Sequence, residues 1–164
     1  MDIFHVALIV ATFLCTLVAG FVFAFAVVVM PGIRTLGDGE FLRAFQVMDR
    51  VIQNNHPLFM LVWVGSILAV FATVIIGVAT LSGSDRLLVV AAAFVYLAFV
   101  QLPTFVVNVP LNNRLQALDV AALDASGLDA ARTAFEARWN RWNRFRTAAA
   151  CVGTIMLLLV LARL

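Results

Sequence analysis

The sequence predicts an all-α fold: a four-helix transmembrane bundle with an amphipathic helix in the first cytoplasmic linker and a long cytoplasmic extension of the fourth helix. Three observations predict it. Apolar residues make up 64% of the chain and charged residues 12%, against about 45–50% and about 25% in soluble domains. The apolar excess is gathered into four long blocks, and the segments between them hold nearly all the charge. In water the polar residues are too few to cover four such blocks, whereas lipid removes the need to cover them.

Each block has its own punctuation. The first, 3–30, closes at Pro31-Gly32; it is longer than a signal-peptide core and no basic segment precedes it, so it is expected to be a retained span. The second, 58–81, opens at Pro57 and closes at Ser82-Gly83-Ser84. The third, 87–109, closes at Pro110, which disfavours helix at Val109 and removes a backbone donor. The fourth, 147–162, is the shortest and recruits Trp142 and Phe145 at its start. Together they make one integral membrane domain over 1–164. On the second block Gly65, Ala69, Thr73 and Gly77 recur every four residues, as do Gly20 and Ala24 on the first, a spacing that lets helix backbones approach in lipid.

The linkers set the orientation. Residues 82–86 are a tight turn, so the second and third spans are antiparallel neighbours. The long linkers 31–57 and 110–146 share a face that carries nine of the eleven arginines, and there is no lysine. Positive residues favour the cytoplasm, so both termini are expected outside a plasma membrane. The Arg-only, Ala- and Val-rich composition suggests a bacterial inner membrane. In the first linker Phe41, Phe45, Met48 and Ile52 fall at i, i+4, i+7 and i+11, which predicts an amphipathic helix on the membrane or under the bundle. In the second, Ser126 followed by Asp129 marks a helix start, and nothing breaks the helix from there to the end.

Function classes narrow by the same logic. The arginines interleave with acidic residues beside the spans, which excludes a nucleic-acid surface. Cys15 and Cys151 are isolated in apolar blocks and read as buried small hydrophobes. His5 and His56 belong to opposite faces, so no bis-histidine haem or histidine metal site is expected. The third span carries a polar stripe: Gln101, Thr104, Asn108 and Asn112 fall within roughly 80° of arc at 3.6 residues per turn. They either bond between helices or line a cavity. Near Pro110, Asn108, Asn112 and Asn113 can donate to the carbonyls that the break frees, or present amides to a ligand. On the fourth helix Phe135, Trp139, Trp142, Asn143 and Arg146 share roughly 100° of arc. Arg146 either snorkels outward or reaches into the bundle. His56 is a loop residue at the cytoplasmic mouth or a general base.

The run Asn108-Val109-Pro110-Leu111-Asn112-Asn113-Arg114-Leu115, followed by Trp139, Asn143 and Arg146, resembles the four-span family of anthrone oxygenase-like proteins. The resemblance includes Gly20, Phe23 and Met30-Pro31 in the first span and Gln46 in the first linker; Asp49 stands where the family commonly has Asn. It implies a cofactor-independent oxygenase, with neither metal nor flavin, that converts a hydrophobic anthrone or polycyclic phenol. In that reading Asn108, Asn112, Asn113, Asn143 and Arg146 stabilise an enolate. Phe135, Trp139 and Trp142, with Gln46, Gln101 and Thr104, surround the ring system, and His56 or Asp49 takes the proton. The alternative is a non-enzymatic accessory subunit or lipid-binding protein, in which the Asn residues mend the helix break and Trp and Arg anchor the interface. The expected partners are membrane lipid, a hydrophobic small molecule and a second copy or partner subunit. A transporter is disfavoured, because the spans lack carboxylates and a visible inverted repeat.

Overall fold

Hydrophobic periodicity in the blocks resolves into five helices in the computed structural model, which describes residues 2–164. They are α1 (Ile3–Ile33), α2 (Asp38–Gln53), α3 (Pro57–Thr80), α4 (Gly83–Gln116) and α5 (Ala125–Leu161), with no strand among the described residues. α1, α3, α4 and α5 are long and apolar enough to cross a membrane, so the chain is a multi-pass helical membrane protein. Their outer faces are greasy: Leu61, Leu68 and Ile75 on α3 are 66%, 63% and 69% exposed. Exposure of that kind is stable in lipid and costly in water.

Three helical prolines do not end their helices. Pro31 and Pro110 were expected to close spans, yet α1 runs on to Ile33 and α4 to Gln116. Each proline follows a π-helical turn by two residues: Phe25–Val29 before Pro31, Leu97–Gln101 before Pro103, and Thr104–Asn108 before Pro110. A proline ring clashes with the carbonyl four residues back and offers it no proton. The wider turn displaces that carbonyl, and the residue before each proline bonds five back instead, as Met30 to Phe25, Leu102 to Leu97 and Val109 to Thr104. The Asn side chains beside Pro110 bond to other helices and not to the carbonyls of their own. Asn112 and Asn113 bond to other side chains, and Asn108 reaches the Trp139 carbonyl on another helix.

Other boundaries moved by a turn. α4 begins at Gly83 rather than Leu87, because Gly83 takes φ +57° and reverses the chain within Leu81-Ser82. α5 is capped by Asp124 rather than Ser126, its carboxylate accepting from the Gly127 amide at 2.8 Å. That amide, then the Ser126 hydroxyl, holds the Asp124 carboxyl below the usual carboxylate range.

Two cores stack along the bundle. In the first, Leu8, Ala11, Cys15, Val18 and Val22 of α1 meet Trp63 and Val70 of α3, Val89, Ala92 and Tyr96 of α4, and Ala150, Leu157 and Val160 of α5. The second lies at the linker end, where Phe41, Leu42 and Phe45 of α2 pack under the bundle against Leu111 and Leu115 of α4 and Phe135 and Trp139 of α5. The first part of α5 is thus not a free projection. Arg132 pins it: its guanidinium donates to the carbonyls of Arg34 and Leu36, pairs with Asp38 and Glu136, and lies 4.4 Å over Phe41.

The small-residue stripe on α3 faces α1. A Cβ at Gly77 would meet Phe4 Cε2 at 3.0 Å, and one at Gly65 would meet Leu14 Cδ1 at 3.3 Å. The expectation for Gly20 does not hold, since nothing lies within 4 Å of a Cβ there. Cys151 is likewise exposed rather than buried, while Cys15 is buried. Gly77→Leu should destabilise the bundle by about 1–3 kcal/mol through overpacking, and Gly20→Ala should be neutral or slightly stabilising. Thermal unfolding in detergent checks both; equal midpoints for the two variants would contradict the α1–α3 packing.

Candidate functional site

One turn of helix separates Asn143 from Arg146, so both side chains leave α5 on the same face, where the helix passes between the two cores. Asn143 is fully buried and donates to the Val22 carbonyl of α1 at 3.0 Å. Its oxygen accepts from Arg146 Nε at 3.0 Å and from Nη2 at 2.9 Å. Arg146 Nη1 donates to Thr104 Oγ1 of α4 at 3.0 Å. Thr104 in turn donates to the Val100 carbonyl, so its hydroxyl oxygen is free to accept. The guanidinium also sits 5.6 Å from the Trp139 ring centroid. Arg146 therefore reaches into the bundle, 5% exposed, and does not snorkel.

It borders a cavity of about 310 Å³, at the small end of the range for ligand pockets, about 300–1,000 Å³. The walls are mostly apolar, and the aromatics lead: Phe21 and Phe25 of α1, Phe45 of α2, Phe59 and Trp63 of α3, Phe105 of α4 and Trp139 of α5. Phe59 stacks on Trp63 at 5.3 Å, and Phe45 and Phe25 pack on Trp139 at 5.3 and 5.7 Å. Polar groups gather at the linker end, where Asp49, Gln53, Asn55, Asn108 and Asn112 join Arg146.

Asp49 is the least expected member. It is 3% exposed and has no cationic partner. Instead three amides hold it: Asn112 Nδ2 at 2.8 Å to Oδ1, and Gln116 Nε2 at 3.0 Å and Gln53 Nε2 at 3.2 Å to Oδ2. Neutral donors at that spacing satisfy a buried carboxylate without neutralising it. Asn112 then links it onward, since its oxygen accepts from Trp139 Nε1 at 2.8 Å. Gln46 and Gln116 lace α2 to the end of α4: Gln46 Nε2 donates to the carbonyls of Leu115 and Leu118, and Gln116 donates to the Gln46 carbonyl.

The structure sorts the residues singled out by sequence. Thr104, Asn108, Asn112, Trp139 and Arg146 line the cavity. Asn143 lies behind Arg146 and positions it. Gln101 is one step removed, accepting from Trp63 Nε1 at 3.0 Å. Phe135 supports the wall from behind Phe45 and Trp139, and Gln46 is an interhelical tie. Three lie elsewhere. Asn113 is exposed and accepts from Gln53. Trp142 packs edge-on against Phe145. His56 is exposed where α2 turns into α3; its amide bonds the Val51 carbonyl while Asn55 takes φ 55°, the turn that ends α2. Sequence reasoning missed Phe21, Phe25, Phe59 and Trp63 as wall residues, because aromatics in an apolar span look like any other core. The spacing of Phe59 and Trp63, four apart on α3, was the available signal.

A cavity of about 310 Å³, bordered by a buried carboxylate and a buried guanidinium, thus lies inside a four-span helical membrane bundle. The family model described as anthrone oxygenase matches residues 48–156. The chain belongs to that family. The match begins within α2 and runs through α3, α4 and most of α5. No curated protein and no solved structure matches the chain.

Asn143→Ala should strand two N–H groups of the guanidinium and remove the side-chain bond to the Val22 carbonyl. A hydrogen bond to a charged group contributes about 1.5–3 kcal/mol, so the thermal midpoint in detergent should fall clearly, and Asn143→Asp, which keeps the acceptor, should fall less. Midpoints in the reverse order would refute the positioning role.

Proposed function

We propose that the protein is a cofactor-independent oxygenase acting on an anthrone or related hydrophobic polycyclic phenol held in this cavity. The observation that carries the reading is that a buried carboxylate and a buried guanidinium border the same aromatic-walled space. The family supports the reaction class.

The chemistry balances without a further reactant. The methylene carbon of an anthrone loses a proton, and the resulting enolate is electron-rich enough to react with molecular oxygen at that carbon. A hydroperoxide forms, and loss of water leaves a carbonyl. The methylene is oxidised by four electrons, and the oxygen molecule ends as one carbonyl oxygen and one water. Asp49 is the proton acceptor: its Oδ1 takes one hydrogen bond, leaving a lone pair free. Arg146 spends three N–H groups on Asn143 and Thr104 and has two of its five left for an oxyanion. The aromatic walls hold the rings by stacking and by excluding water. Asn108 and Asn112 orient the polar edge of the substrate, and Asn112 also holds Asp49.

Oxygen uptake by the purified protein with 9-anthrone tests this. Asp49→Asn should slow turnover by roughly 10²–10⁴-fold, as loss of a catalytic base does, and Arg146→Ala by about 10²–10³-fold. His56→Ala and Asn113→Ala, outside the cavity, should leave it unchanged. Anthrone binding without accelerated oxygen uptake would replace the enzyme with a hydrophobic-ligand-binding module.

The same reading puts the long linkers in the cytoplasm of a bacterial cell and both termini outside the inner membrane, from an arginine asymmetry of eight to two once the buried Arg146 is set aside. Reporter fusions at either terminus should be active only when the reporter requires export; activity of a cytosolic reporter there would invert the topology.

A further inference from the structure

We propose that the ligand reaches the cavity sideways from the lipid, through a gap between α3 and α4. The ligand class is then an amphiphile dissolved in the bilayer, with an apolar aromatic body and one polar edge. The proposal rests on the reading above that the cavity holds a hydrophobic aromatic. It starts from the divergence of two helices. α3 packs on α4 chiefly along Gly83–Tyr96, next to the hairpin turn. Beyond Tyr96 come the two π turns with Pro103 and Pro110, and from there α4 packs mainly on α5 and α2. α3 meanwhile stays on α1.

The gap shows in the exposure of the lining. Val64 on α3 and Phe105 on α4 both line the cavity, yet they are 42% and 55% exposed. Apolar lining residues this exposed on two diverging helices mark an opening between them. Its rim is apolar and continues into Leu61 and Leu68 of α3 and Leu102 and Val106 of α4, all of which face outward. Water finds no partners along such a rim, whereas a lipid-dissolved aromatic crosses it without losing solvation. The linker end is the polar one: Gln53 and Asn55 line the cavity there and are exposed, and the bonds of Asn112 and Gln116 to Asp49 and of Gln53 to Asn113 tie α2 to α4 across it, so an apolar solute meets polar groups on that route.

The test bridges the gap. Val64→Cys and Phe105→Cys are introduced together in a Cys151→Ser background and joined by a bis-maleimide with a reducible spacer, in phosphatidylcholine vesicles. 9-Anthrone dissolved in the vesicles is the probe, and quenching of tryptophan fluorescence reports its uptake. Bridging should slow uptake by about tenfold or more, and reduction of the spacer should restore it. Uptake at the unbridged rate would overturn the proposal. The two readings fail separately. Gated binding without oxygen uptake in the unbridged protein removes the oxygenase and keeps the portal, and oxygen uptake undiminished by bridging does the reverse.

Discussion

A guanidinium inside an apolar bundle must have its protons taken up, and the bonds of Arg146 to Asn143 and Thr104 are the constraint around which the site is organised. Arg cannot shed its charge as Lys can. Its position therefore dictates where acceptors must be, and they come from two helices with a third behind them. Asn143 lies one turn back on α5, Thr104 reaches across from α4, and the Val22 carbonyl of α1 holds Asn143 in place. The same atoms fix the spacing of α1, α4 and α5 at the level where the two apolar cores meet. The cavity's polar edge and the bundle geometry are thus set by one set of hydrogen bonds.

The prolines work on the other side of the cavity. In lipid no water can satisfy a carbonyl that proline leaves without a donor. The π turns before Pro31, Pro103 and Pro110 let each helix run through its proline, with the preceding residue bonded five back. Past two such turns in succession the linker half of α4 no longer packs along α3 and stays on α5. Room for a ligand opens at the level where Thr104, Asn108 and Asn112 face inward. The Asn side chains there bond away from their own helix: Asn112 bridges Trp139 and Asp49.

α2 completes the arrangement from below. Its apolar face, Phe41 and Phe45, is buried against α5, while Gln46, Asp49 and Gln53 follow at i+1, i+4 and i+8 from Phe45 and face α4. A carboxylate there with only neutral donors is an uncommon choice in a buried site. Three amide bonds from Gln53, Asn112 and Gln116 account for its tolerance.

The sequence alone determined the medium and the count of spans, because twenty or so apolar residues in a row have one low-energy environment whatever their neighbours are. It also determined the amphipathic α2, the long α5 and the inward stripe of α4, since each is a periodicity along one helix. Tertiary structure decided the rest. Whether Pro110 ended a helix depended on a π turn that no local propensity announces. Whether His56, Asn113 and Trp142 joined Asn112 and Arg146 depended on which way each helix was turned. Asp49 became the centre of a hydrogen-bond network only when α2 docked beneath α4. Contacts between helices are relations between distant parts of the chain, and a one-dimensional pattern fixes the face of each helix without fixing what that face will meet.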